Sequence, residues 1–139
     1  MLIQSDDGRA RTIFCLAGVP AVGKSTIRAE LCRWYPQDVK FLRRWTTRAM
    51  RPGEEGEVVH LERPAFVEKT KRRLLTAIFC SNRAMYGISV EELQCLLRSD
   101  ARWIGCLSAS AGVSLHALGY DVRIVYLTVR DRRVLVERL

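Results

Sequence analysis

The fold of this chain is decided by Gly18-Val19-Pro20-Ala21-Val22-Gly23-Lys24-Ser25-Thr26, which matches the pattern G-x-x-x-x-G-K-[ST] without a mismatch. The apolar run before it, Thr12-Ile13-Phe14-Cys15-Leu16-Ala17, is typical of a buried parallel strand. After it, Ile27, Leu31 and Trp34 recur at a helical spacing, which predicts an amphipathic helix from Ile27 to Tyr35. The pattern therefore lies between a predicted strand and a predicted helix, where phosphate-binding loops are found.

The residue types in this loop suit a bound polyphosphate. Glycines let the backbone wrap around the phosphates, and the helix that follows directs the positive end of its dipole toward them. We expect Lys24 to neutralise the β- and γ-phosphates and the hydroxyl of Ser25 to bind Mg²⁺. The sequence thus predicts ATP and Mg²⁺ as cofactors, with a nucleotide-binding set of Gly18, Val19, Ala21, Val22, Gly23, Lys24, Ser25 and Thr26.

Length and composition indicate one ordinary globular domain over residues 1–139. Hydrophobic residues make up 48% of the chain and charged residues 27%, which excludes a disordered tail. No apolar run approaches the length needed to span a bilayer, and the first seven residues lack the basic start and apolar core of a signal peptide. We therefore expect a cytoplasmic protein without membrane partners, and the oligomeric state is left open.

Cysteines and charges narrow the function further. The five cysteines are an odd number without a C-x-x-C pair, which predicts reduced core residues rather than a redox or metal site. The net charge of +8 comes mainly from arginine, a side chain suited to partners that carry phosphate. This charge is spread along the chain with little aromatic interleaving, so nucleic-acid binding is secondary to small-molecule nucleotides.

The remaining chain alternates between strand and helix patterns. Strands are predicted at 39–42, 58–61, 74–80, 103–107 and 122–129, and helices at 63–73, 89–99, 110–118 and from Asp131 onward. The segment 43–57 is rich in Arg, Gly, Glu and Pro and is predicted to be a functional loop too polar for the core. This alternation predicts an α/β fold of the P-loop NTPase type, a mostly parallel sheet flanked by helices, with ligands at the carboxyl ends of the strands.

Within that polar segment, Thr46-Thr47-Arg48-Ala49-Met50-Arg51-Pro52-Gly53-Glu54 resembles the T-T-R-x-x-R-P-G-E signature of guanylate kinases. Tyr86-Gly87 is similar to the family's Y-G pair, and Val136-Glu137-Arg138-Leu139 is similar to the helix that enters its lid. The resemblance implies an ATP-dependent nucleotide kinase in which Arg48, Arg51 and Tyr86 bind the acceptor nucleotide. It also implies catalytic cations at Lys24 and Arg138, and a small acceptor-binding lobe over residues 43–82.

The chain also departs from the family pattern. Cys80 and Ser81 occupy the region where the family has an acidic, guanine-reading residue, Val59 replaces a tyrosine, and the strand end at 105–110 lacks the family's D-x-D-like carboxylates. The arginine-bearing part of the lid is also expected to be absent. A nucleoside monophosphate is the first choice of acceptor, and a phosphorylated sugar is the second. The alternative is a catalytically weak or inactive ATP-binding module that binds protein partners.

Overall fold

The computed structural model describes residues 11–139, and the expectation that no signal peptide is present falls on residues outside this range. The strands are β1 (Thr12–Ala17), β2 (Val39–Phe41), β3 (Arg44–Thr46), β4 (Val58–His60), β5 (Leu75–Ser81), β6 (Ala84–Ser89), β7 (Arg102–Gly105) and β8 (Asp121–Tyr126). The helices are α1 (Lys24–Trp34), α2 (Arg63–Lys71), α3 (Val90–Leu97), α4 (Ala109–Ala117) and α5 (Arg132–Arg138).

The first sheet has the strand order β2-β7-β1-β8, and every pair in it is parallel. Strand β1 lies between β7 and β8. The loop that follows β1 therefore starts from an inner strand, at the side of the sheet formed by the carboxyl ends of the strands. This arrangement confirms the predicted α/β fold with a mostly parallel sheet flanked by helices. It also leaves the glycine-rich loop at the edge where parallel sheets bind ligands.

The second sheet has the order β4-β3-β6-β5, with β3 parallel to β4 and antiparallel to β6. Strand β6 is absent from the sequence prediction, which passes from a strand ending at Cys80 to a helix starting near Ser89. The missed connection is a tight hairpin at Asn82 and Arg83, which both have positive φ, as a two-residue turn between right-twisted strands requires. Ser89 does cap α3, since its side chain accepts a hydrogen bond from the backbone N–H of Glu92.

The main core lies between the first sheet and helices α3 and α4. It contains Ile13 and Cys15 of β1, Leu93 and Leu96 of α3, and Leu115 of α4. Two cysteine predictions need correction, because Cys80 and Cys95 are exposed, although Cys15 and Cys106 are buried as expected. No helix between residues 11 and 139 is long and apolar enough to cross a membrane.

Helix α1 forms where its spacing predicts but leaves its apolar residues largely uncovered. Ile27 is 37% exposed, Trp34 is 70% exposed, and no residue of the helix is fully buried. Ile27 and Leu31 line an apolar groove together with Phe14 and Val125 of the first sheet. The helical periodicity is therefore present, but it does not by itself bring these side chains into the core.

Candidate active site

The glycine-rich loop adopts a shape that only particular residues allow. Gly18 has φ +147°, and a Cβ atom built on it would lie 2.7 Å from the carbonyl oxygen of Leu127. Gly23 precedes α1 with φ +108°, and Ala21 between them has φ +63°. Residues other than glycine rarely adopt the φ values of Gly18 and Gly23, so the path of the loop requires glycine at both positions.

Lys24 begins α1 and reaches back over the loop. Its Nζ atom donates hydrogen bonds to the carbonyl oxygens of Gly18, at 2.8 Å, and Val19, at 2.9 Å. Partial burial lowers the pKa of Lys24 from its ordinary value. Arg44 lowers this pKa further, whereas Cys106 and Glu57 raise it. Because the ordinary pKa lies far above neutral pH, the side chain is a cation held directly above the loop.

A cleft of about 660 Å³ opens at this loop. It is lined by Ala21, Val22, Gly23, Lys24, Ser25, Thr26, Ile27 and Arg138. Arg138 comes from α5, and its Nη1 atom donates a hydrogen bond of 3.4 Å to the carbonyl oxygen of Ala21. The structure thus brings the two cations predicted as catalytic, Lys24 and Arg138, to the same cleft.

Arg48 is positioned by the two threonines that precede it. The side chain of Thr46, fully buried in β3, accepts a hydrogen bond from the backbone N–H of Arg48, while Thr47 pairs with Met85. The Nη2 atom of Arg48 then lies 2.8 Å from both carboxylate oxygens of Glu54. This geometry directs the guanidinium toward the turn that contains Arg51 and Glu54.

Tyr86 lies beside Arg48 because β6 pairs with β3, where Thr46 is opposite Tyr86. Burial alone would lower the pKa of Arg48, but its interactions with Glu54 and the Tyr86 hydroxyl outweigh burial and raise that pKa. The ring of Tyr86 stacks on Phe79, with centroids 5.0 Å apart. Arg51 is exposed on the same turn, and its backbone N–H donates to Glu54. The three acceptor residues predicted from the sequence are therefore neighbours in the fold.

The segment 43–57 was predicted to be too polar for the core, and this is wrong at Thr46 and Glu57, which are buried. The Glu57 carboxylate lies 2.9 Å from Arg28 of α1 and 3.0 Å from Arg44 of β3, and the hydroxyl of Ser25 donates to it at 3.5 Å. Sequence reasoning missed these contacts. No local pattern joins residues that are 13 to 32 positions apart.

Ser25 is the residue that the sequence predicts to bind Mg²⁺. It is exposed at the start of α1 and lines the cleft beside Lys24. Its hydroxyl donates to Glu57, the carboxylate that also binds Arg28 and Arg44. Cys106 follows β7, the neighbour of β1, and burial raises the pKa of its thiol to about 11, so that it is neutral at physiological pH. Within residues 11–139, no three His, Cys, Asp or Glu residues are grouped as metal ligands.

Comparison with known proteins identifies the fold. No protein-family model matches the sequence, and no curated protein matches it. Among solved structures, the guanylate kinase from Anaplasma phagocytophilum is similar to 93% of this chain with a TM-score of 0.75 and 15% sequence identity. The chain spans 65% of the length of that enzyme. This likeness establishes a guanylate kinase-like fold.

Proposed function

We propose that this chain is a phosphotransferase that moves the γ-phosphoryl group of ATP to a small phosphorylated acceptor, with a nucleoside monophosphate as the first choice. The observation that carries the proposal is that the chain has two separate sets of cationic groups suited to bind phosphate. One set surrounds Lys24 in the loop after β1, and the other surrounds Arg48 next to β3. A kinase that joins two phosphorylated molecules requires such a pair of sites. The similarity in fold to a guanylate kinase supports the same assignment.

The loop between Gly18 and Lys24 would hold the donor phosphates. Lys24 would exchange its bonds to the carbonyl oxygens of Gly18 and Val19 for bonds to the β- and γ-phosphates. Arg138, which lines the same cleft and donates to the carbonyl oxygen of Ala21, would add a second positive charge. Ser25 would hold Mg²⁺, which would supply further positive charge to the donor phosphates.

Arg48, Arg51 and Tyr86 would hold the acceptor phosphate. Guanidinium groups suit this role because they are planar, permanently charged and able to bind two phosphate oxygens at once. Glu54 occupies Arg48 in the structure, so an acceptor phosphate would have to share or displace this carboxylate. The pairing keeps Arg48 in a defined orientation, which lowers the entropy lost when an acceptor binds.

The transfer itself would need little covalent chemistry from the protein. The bond between the γ-phosphorus and the oxygen that links it to the β-phosphate breaks, and that oxygen leaves with ADP. An oxygen of the acceptor phosphate forms the new bond to phosphorus. Lys24 and Arg138 would lower the barrier by neutralising the charge on the transferred group, and both remain protonated throughout.

The proposal includes nucleotides of any base as acceptors, because the end of the β5–β6 hairpin carries no acid to read guanine. Cys80 and Ser81 are exposed there, and neither offers a two-oxygen anion to the N–H groups of guanine. A phosphorylated sugar is the second acceptor class for the same reason.

A second function is favoured by the exposed apolar surface. Val125 of β8 is 41% exposed and lines the apolar groove with Ile27, and Ile27 also lies beside Trp34, which is 70% exposed at the end of α1. Exposed apolar groups gathered in one region are typical of protein-interaction surfaces. A catalytically weak ATP-binding module that docks onto a protein partner is therefore the alternative proposal.

Incubation with γ-labelled ATP and a panel of nucleoside monophosphates and phosphosugars separates these functions. A phosphotransferase gives a labelled acceptor with the wild type and none with Lys24→Ala. A binding module retains ATP but labels no member of the panel. If the wild type neither retains ATP nor labels an acceptor, both proposals are wrong.

A further inference from the structure

Two arginines converge on a single buried carboxylate behind the P-loop. The Glu57 side chain is only 5% exposed, and its Oε2 atom binds Arg28 Nη1 at 2.9 Å while its Oε1 atom binds Arg44 Nη2 at 3.0 Å. Arg28 belongs to α1 and Arg44 begins β3, so this carboxylate joins the helix of the P-loop to the second sheet. The three side chains together carry one net positive charge.

Within residues 11–139 the surplus charge has no second carboxylate, although Arg28 also lies over the ring of Phe41, 5.0 Å from its centroid. In the described part of the chain, the ion pairs of both arginines end on Glu57. Cys106, whose side chain lies near Glu57, has a pKa of about 11, raised first by burial and then by the charge of Glu57, and remains a neutral thiol. The Nε atoms of both arginines are buried without a hydrogen-bond partner. Buried cationic donors in excess of their acceptors are costly unless an anion binds to them.

Arg44 lies between the two candidate phosphate sites. On the donor side, Glu57 accepts the hydrogen bond from Ser25. Lys24 is close enough for the charge of Arg44 to lower its pKa and for that of Glu57 to raise it. On the acceptor side, the charge of Arg44 lowers the pKa of Glu54, the carboxylate that binds Arg48. Arg44 is thus joined to the donor loop through Glu57 and Ser25, and it begins the strand that leads to Arg48.

We propose that Arg44 binds the phosphoryl oxygens at the point where donor and acceptor phosphates meet, and that Glu57 is the positioning residue that holds it there. This inference rests on the proposed phosphotransferase function and adds a catalytic residue to it. The guanidinium remains protonated and takes no part in bond exchange, because its role is to neutralise charge on the group in transit. Arg28 shares this carboxylate with Arg44 and helps to hold it in place.

The test uses a probe that fills both sites at once. Diadenosine pentaphosphate carries five linked phosphates, enough to extend from a donor site into an acceptor site, whereas ATP fills the donor site alone. Isothermal titration of the full chain with each compound gives two affinities. We expect Arg44→Gln to weaken the pentaphosphate by about 10- to 100-fold, as for a lost charged hydrogen bond, and ATP by less than about threefold.

Arg43→Gln is the matched control, because it removes the same charge from the neighbouring position. Arg43 is paired with Glu92 of α3 and is more exposed than Arg44. Its loss should leave both affinities within about twofold, as expected for a screened surface charge. Arg44→Lys should recover part of the pentaphosphate affinity, since it keeps the charge but not the planar pair of N–H groups.

Equal affinities for Arg44→Gln and Arg43→Gln would overturn the inference while leaving the proposed function intact, provided that Lys24→Ala still abolishes ATP binding. A wild type that binds neither compound would overturn both. If Arg44→Gln does not fold, Arg44→Lys carries the test by itself. It must then bind the pentaphosphate several-fold more weakly than the wild type, and a wild-type affinity would overturn the inference.

Discussion

The Nη2 atom of Arg48 lies 2.8 Å from each carboxylate oxygen of Glu54, so that this guanidinium is already bound to an anion. The backbone N–H of Arg51 donates to the same carboxylate at 2.9 Å. Burial by itself would raise the pKa of Glu54, but the bonds from Arg48 and Arg51 outweigh it, and the pKa is lowered. The turn that carries the proposed acceptor site therefore depends on an ionised Glu54.

The first prediction concerns the stability of the fold at low pH. Because the pKa of Glu54 is lower in the folded state, its contribution to stability is present above the pKa of the unfolded chain, near 4.3, and is lost as the pH falls through the folded value. Glu54→Gln should cost about 1–3 kcal/mol at neutral pH, the size of a charged hydrogen bond. Unfolding by urea at several pH values should show this difference shrinking below about pH 4. A difference that does not vary with pH would contradict the assignment.

The second prediction separates the two phosphate sites. Arg48→Ala and Arg51→Ala should each weaken acceptor binding by about 1.5–3 kcal/mol, the size of a charge-assisted hydrogen bond, and leave ATP binding nearly unchanged. Arg33→Ala is the control, since Arg33 is an exposed arginine at the end of α1 that pairs with Glu30. Calorimetry with a nucleoside monophosphate and with ATP measures both effects. Equal losses for the two ligands would place both arginines at the donor site.

The third prediction concerns the loop backbone. Gly18→Ala places a Cβ atom 2.7 Å from the carbonyl oxygen of Leu127 and also strains a positive φ, whereas Gly23→Ala strains φ but meets no atom within 4 Å. Backbone strain alone costs about 1–3 kcal/mol, so both changes should destabilise the fold, and Gly18→Ala should destabilise it more. Denaturant midpoints rank the two variants. The reverse ranking would show that the loop relaxes at Gly18.

The fourth prediction concerns the choice of base. Cys80 and Ser81 are exposed near the end of β5, and a thiol and a hydroxyl lose little when a base is mismatched. GMP should therefore be favoured over other acceptors by no more than about tenfold, or roughly 1.4 kcal/mol. Competition between GMP, AMP, dTMP and a phosphosugar for one labelled acceptor measures this ratio. A preference of several hundredfold would mean that other residues read guanine.

The sequence predicts best the features that neighbouring residues determine. The local patterns from Gly18 to Thr26 and from Thr46 to Glu54 predict a turn-rich loop and a polar segment, and Arg48 and Tyr86 lie together in the fold. Each feature depends on turn glycines, caps or adjacent donors, which are properties of neighbouring residues. Such properties can be read from a short window.

The sequence was least informative where contacts are distant. The pairing of Glu57 with Arg28 and Arg44 buries a charge within a segment whose composition predicts an exposed loop. Strand β6 was missed because its hairpin turns at Asn82-Arg83 without a glycine. Helix α1 has the expected periodicity, yet whether Trp34 is buried depends on which elements pack against it.

We propose that the loop around Lys24 binds the phosphates of ATP, and the change in melting temperature caused by Mg·ATP measures this binding directly. A ligand that binds only the folded state stabilises it by mass action, by about 2.7 kcal/mol at a concentration 100 times its Kd. We predict a clear rise in Tm for the wild type and none for Lys24→Ala, which removes the cation above Gly18 and Val19. If the wild type and Lys24→Ala melt alike both with and without Mg·ATP, the loop around Lys24 does not bind ATP.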